Sequence, residues 1–136
     1  MLLTRRIEFS ASHRCVSGEL SEAANHALYG AESNESGHGH NYALEVTLEG
    51  EPDPVTGMVV DLKEVKSVLE RAVVAPMDHR HLNHEVEPFD RVVPTAENLA
   101  VEIYRRLAPE FAAGPARLRS VRLYETEDLW VEYEGR

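Results

Sequence analysis

HGHNYALEVTLE, residues 38–49, alternates without a break. His38, His40, Tyr42, Leu44, Val46 and Leu48 share one parity and Gly39, Asn41, Ala43, Glu45, Thr47 and Glu49 the other, which is the period of a half-buried β-strand. A strand is therefore expected here, with its apolar side chains on one face and two imidazoles at the head of that same face. Residues two apart on a strand have Cα atoms roughly 6.6 Å apart, a span that two ligands of one metal ion can close. An isolated His-x-His describes a pair of surface histidines on a Gly-flanked turn at least as well.

Upstream, Leu3, Arg5, Ile7, Phe9, Ala11 and His13 also share a parity, and a first strand is expected over Leu2–Ser10 with His13 at its end. If these two strands form a hairpin, His13 joins His38 and His40 as three nitrogen donors from rigid elements. Three neutral imidazoles suit zinc, and a His₃ set leaves the fourth tetrahedral position open, as catalytic sites do. Between Cys15 and Gly37 lies a polar insert with Ser17-Gly18, Tyr29-Gly30 and Ser36-Gly37, long enough that a structureless loop would be unusual unless it serves as an active-site flap.

Downstream, Glu51-Pro-Asp-Pro54 turns the chain and Asp61 with Glu64 gives a helix-opening capping pattern, followed by the stripe Leu62, Val65, Leu69, Ala72 and Val73. Pro76 is expected to stop that helix, leaving Met77–Pro94 as a loop. Thr95 then caps a second helix with Leu99, Ile103 and Leu107 on one face, ended by Pro109 and Gly114-Pro115. Leu118–Thr126 and Leu129–Glu134 read as a final pair of strands. The order ββααββ argues an α+β domain spanning residues 1–136, a four-stranded antiparallel sheet with two helices on one face. Its other face needs a partner.

The bulk numbers exclude several classes of function. With 14 basic against 24 acidic residues the 136-residue chain carries a formal charge of −10, which repels a phosphate backbone and argues against nucleic acid. No apolar run approaches the roughly 18 residues of a membrane helix. The one cysteine, Cys15, excludes an internal disulfide framework, and a cytoplasmic protein is expected.

Two further features bear on chemistry. Asp78 directly precedes His79 after the Pro76 stop, where a carboxylate can orient an imidazole for acid or base work, although solvated loop residues would look the same. His81 and His84 follow without a clear role. Glu125 stands at the end of the apolar row Val121, Leu123, where a buried acid needs a partner such as a planar heterocycle offering two parallel N–H donors. A sheet-edge glutamate in water is the competing description.

FSASHR at Phe9–Arg14, GHGHNY at Gly37–Tyr42, MDH at Met77–His79, PTAEN at Pro94–Asn98 and YET at Tyr124–Thr126 together resemble the 6-pyruvoyl-tetrahydropterin and 6-carboxytetrahydropterin synthase family. The resemblance runs in order over nearly the whole chain. It implies the tunnelling fold, with trimers joined face to face into a homo-hexamer and active sites at subunit boundaries. It also implies zinc on His13, His38 and His40, a relay of Asp78 and His79, a pterin ring anchored by Glu125, and a pocket lined by Thr95 and Glu97. The implied substrate is 7,8-dihydroneopterin triphosphate.

One departure matters. The catalytic cysteine usual in this family lies a few residues before GHGH, but Gly30–Gly37, GAESNESG, contains none, and Cys15 lies too far upstream to align. Glu35 gives the spacing Glu-x-x-His-Gly-His of a branch that uses glutamate and is associated with 6-hydroxymethyl-7,8-dihydropterin. It is taken first as the stand-in. Glu32, at the cysteine position of the longer-spaced branch, is taken second. The rivals are a 6-carboxytetrahydropterin synthase of queuosine biosynthesis and a non-catalytic paralogue that keeps zinc and pterin binding.

Overall fold

The computed structural model describes residues 1–136. Strand β1 (Leu2–His13) and strand β2 (His38–Gly50) form the expected antiparallel hairpin, in register from Leu2 opposite Glu49 to His13 opposite His38. β4 (Ala116–Tyr124) pairs with β2, and β5 (Trp130–Tyr133) pairs with β4, both antiparallel. Thr47 pairs with Ser120 and Leu48 with Leu118, so Arg119 is the extra residue of a bulge.

The sheet differs from the expected one in a detail that leaves the α+β fold unchanged. It has five strands in the order β3-β1-β2-β4-β5, because Arg80–His81 (β3) runs parallel to β1 beside Ala11 and Ser12. A two-residue strand carries no periodicity that a sequence reading could detect.

The polar insert is also more ordered than a flap. Helix α1 (Glu22–Tyr29) is capped by the Ser21 side chain, which accepts from Ala24 N–H, and a 3₁₀ turn follows over Gly30–Ser33. Buried Asn25 ties the insert down, accepting from Ser17 N–H at 2.8 Å while its amide donates to the carbonyls of Ser17 and Leu20.

Helix α2 (Leu62–Leu69) starts where expected, with Asp61 accepting from Lys63 N–H at 2.9 Å. It does not stop at Pro76. A wider π-helical turn over Glu70–Val74 leads into a last helical turn, Ala75–Met77. Proline already has a helical φ, and the wider turn eases its ring past the preceding carbonyls. Leu62 is exposed, and Val68 takes its place beside Val65, Leu69 and Val73.

Helix α3 (Ala96–Phe111) is capped by Thr95 and runs two residues past Pro109, which sits in its last turn. Leu99, Ile103 and Leu107 are fully buried, as their spacing predicts. Both helices cover the face carrying Leu44, Val46, Leu48, Val121 and Leu123, all fully buried. Each such side chain contributes roughly 1.5–3 kcal/mol of transfer free energy.

The opposite face carries charge. Arg6 meets Glu45 at 3.5 Å, Glu45 meets Arg122 at 3.6 Å, and Arg122 meets Glu132 at 3.1 Å across neighbouring strands. No helix is long and apolar enough to cross a membrane.

Candidate metal and active site

The hairpin register places the histidines. His13 faces His38, Ala11 faces His40, and all three rings leave the sheet on the helix side, at the end of the apolar rows. His13 Nε2 lies 3.0 Å from His38 Nε2 and 3.1 Å from His40 Nε2.

His13 is fully buried, and its other nitrogen, Nδ1, donates to the Pro94 carbonyl at 2.7 Å. That bond puts the proton on Nδ1 and leaves a lone pair on Nε2. One lone pair cannot accept two good hydrogen bonds from opposite neighbours, so the cluster is better satisfied by a cation than by itself. Nitrogens bound at about 2.0–2.1 Å to one tetrahedral ion stand about 3.4 Å apart, close to the spacing found. Burial lowers the His13 pKa, against the opposing effect of the Pro94 bond, and burial lowers that of His40 as well. For His13 and His40 burial thus favours the neutral form, the form in which an imidazole binds a metal.

Glu32 completes the group. Its Oε2 is 3.0 Å from His38 Nε2 and 3.8 Å from His13 Nε2, and the four ligand atoms all lie within 4.8 Å of one another. The 3₁₀ turn directs Glu32 inward, and Cys15 N–H donates to the Glu32 carbonyl at 2.8 Å. His13, Glu32, His38 and His40 can thus hold a metal ion. Glu35, three residues further on, is exposed and borders a separate polar cavity of about 510 Å³ with Arg14, Glu22 and His26.

Sequence spacing put Cys15 out of consideration, yet folding brings it beside the cluster. Its Sγ is 4.0 Å from Glu32 Oε2. Burial, followed by the charges of Glu32 and Glu125, pushes this thiol up to about 12, so it stays protonated and is no nucleophile near neutrality.

Glu125 follows the last residue of β4, with its side chain 11% exposed and Oε1 3.8 Å from His40 Nε2. Burial raises its pKa; His13 opposes this and Glu32 adds to it. Thr95 sits next to Pro94 at the start of α3, its hydroxyl accepting from Asn98 N–H, and Glu97 is exposed in the first turn but near enough to raise the Glu125 pKa.

Asp78 and His79 pair, Nδ1 to Oδ2 at 2.9 Å. Asp78 also accepts from Ser10 N–H at 2.8 Å, and this bond ahead of the one from His79 holds its carboxyl below the usual range. His79 has a left-handed backbone, φ 58°, held by its N–H donating to the Ser10 carbonyl at 2.6 Å. Its ring is 84% exposed, and it borders a cavity of about 510 Å³ that His40 also lines.

Gly37 makes the entry to β2 possible. Its φ is +71°, and a Cβ there would lie 2.8 Å from the His13 carbonyl oxygen. Gly37→Ala is expected to destabilise the protein by about 1–3 kcal/mol and to weaken metal retention by displacing His38. Thermal melts with metal analysis check this, and an unchanged melting temperature would contradict the close approach.

Three imidazole nitrogens with a carboxylate beside them could hold a metal ion, and they stand at the end of a sheet whose architecture is that of the tunnelling fold. The chain belongs to the 6-pyruvoyl tetrahydropterin synthase family, whose model matches residues 2–136. It is 45% identical over 133 residues to the 6-pyruvoyl tetrahydrobiopterin synthase of Homo sapiens, covering 98% of this chain and 90% of that protein. To the 6-carboxy-5,6,7,8-tetrahydropterin synthase of Rickettsia typhi it is 28% identical over 145 residues, covering 95% of this chain and 96% of the relative. The solved 6-pyruvoyl tetrahydropterin synthase of Caenorhabditis elegans superposes with a TM-score of 0.94 at 38% identity, covering 100% of this chain and 96% of that one.

Proposed function

We propose that the protein is a zinc-dependent lyase acting on 7,8-dihydroneopterin triphosphate, with Glu32 ahead of Glu35 in the place of the family's cysteine. The convergence of three imidazoles on one point beside the Glu32 carboxylate carries this reading. Zinc, when bound by His13, His38 and His40, supplies a Lewis acid that makes a C–H next to the substrate's side-chain hydroxyls more acidic.

The chain's own groups do the rest. Glu125 holds the pterin ring by its amidine-like edge, within a pocket lined by Thr95 and Glu97. Glu32 removes the side-chain proton, and the electron pair left on carbon expels the triphosphate with cleavage of its C–O bond. His79, oriented by Asp78, returns a proton during the rearrangement that follows. The family resemblance supports placing these sites at subunit boundaries of a homo-hexamer of two trimers, in the cytoplasm, with the exposed His79 ring free to reach a shared site.

Two products are compatible with this start. The identity to 6-pyruvoyl tetrahydrobiopterin synthases favours 6-pyruvoyl-tetrahydropterin. A carboxylate in place of the thiol favours 6-hydroxymethyl-7,8-dihydropterin, the alternative. Zinc-loaded protein incubated with the triphosphate is expected to yield one of these, distinguished by mass because the second has lost carbons of the side chain. Recovery of unchanged substrate would overturn the lyase reading in favour of a zinc- and pterin-binding protein, and a carboxylated product would favour the 6-carboxytetrahydropterin synthase.

A further inference from the structure

Tyr42 joins the histidine cluster to the apolar core and has no part in the chemistry above. Its ring stacks on Phe9 at 5.1 Å and stands edge-on to His13 at 6.3 Å and to His40 at 5.5 Å. The residue is 0% exposed, yet its hydroxyl has no hydrogen-bond partner. A phenol O–H is a good donor, and native proteins pair nearly all such buried groups.

Glu125 has the opposite shortage. It is 11% exposed, and the 3.8 Å between its Oε1 and His40 Nε2 is too long for a hydrogen bond. Once the His40 Nε2 lone pair faces a cation, that nitrogen has no proton to offer Glu125. Tyr42 and Glu125 stand one position beyond the Ala43–Tyr124 pair of the β2–β4 register, on the same face, so the phenol donor and the carboxylate are cross-strand neighbours.

A fully buried donor without an acceptor thus lies near a largely buried carboxylate without a donor. We propose that Tyr42 is a positioning residue whose hydroxyl donates to the Glu125 carboxylate, directly or through one bridging water, and aims that carboxylate at the substrate's ring. The hydroxyl itself does not touch substrate. The aiming role rests on the reading of Glu125 as the pterin anchor.

The test is a double-mutant cycle with Tyr42→Phe, Glu125→Ala and the double variant, all zinc-loaded. Phenylalanine keeps the ring and its contacts with Phe9, His13 and His40. In urea unfolding the two substitutions are expected to be coupled, so that Tyr42→Phe lowers the folding equilibrium constant about tenfold in the parent and less than about twofold in the Glu125→Ala background. Tyr42→Phe is also expected to weaken pterin binding about 5- to 30-fold with zinc stoichiometry unchanged, and in turnover to raise KM while kcat stays within about twofold. A purely structural tyrosine would not produce that split.

Independent, multiplying effects in the unfolding cycle would overturn the contact. Parental pterin affinity in Tyr42→Phe would overturn the aiming role. Coupling in unfolding with no pterin bound by the parent protein would instead leave the contact standing and sink the functional reading.

Discussion

Glu32→Gln is expected to lower turnover about 10²–10⁴-fold while the protein retains its zinc, the loss typical of a removed general base. The carboxylate sits 3.0 Å from His38 Nε2, close enough to serve either as base or as a fourth ligand, and metal content separates the two roles. A base can be lost without loosening the three imidazoles, whereas a ligand cannot. Its side chain is 45% exposed, which leaves it room to swing from the ion toward a substrate carbon. Glu35→Gln is the matched control and is expected to retain near-parental rates, since that residue borders the separate cavity beside Arg14. Loss in Glu35→Gln with full activity in Glu32→Gln would reverse the assignment. Loss of zinc in Glu32→Gln would make Glu32 a ligand and close the site.

His13→Ala has the second large effect and should act on two quantities at once. It removes the imidazole whose Nε2 lies within 3.0 to 3.1 Å of both others, so metal stoichiometry measured by atomic emission is expected to fall toward zero, and turnover with it. The same substitution leaves the Pro94 carbonyl without its donor and opens a buried hole, for a loss of about 2–4 kcal/mol in the metal-free protein. His38→Ala is the comparison. Its side chain is 29% exposed and it should lose the metal with little change in metal-free stability. Chelation of the parent protein should reproduce the activity loss of both variants. Full zinc occupancy in His13→Ala would remove the histidine cluster from the metal reading.

The legible parts of the molecule were those with a repeating signal. Twelve consecutive residues alternating from His38 to Glu49 announced β2 and the face on which both imidazoles would stand. The parity of Phe9, Ala11 and His13 did the same for β1, and Thr95 and Asp61 marked the starts of the helices covering that face. Short elements escaped because they have no period. Arg80–His81 joins the sheet through two residues, and Glu22–Tyr29 is a two-turn helix whose one local signal is the Ser21 cap. The cluster's carboxylate was legible only as a choice between Glu32 and Glu35, because the decision depends on which way a 3₁₀ turn points its side chains. Spacing set Cys15 aside, and nothing in a linear reading foretold that it would lie 4.0 Å from Glu32 or that the Pro94 carbonyl would set the tautomer of His13.

That last bond spans 81 positions, while His13, Glu32, His38 and His40 come from one short segment. The entropy of closing so short a segment is small, and a nascent chain has all four donors in hand before either long helix exists. Tight capture has to wait. Only after α3 docks is the His13 ring held in one tautomer and dried on all sides, so affinity for the ion should ripen late, as a report that the distant half of the chain has arrived.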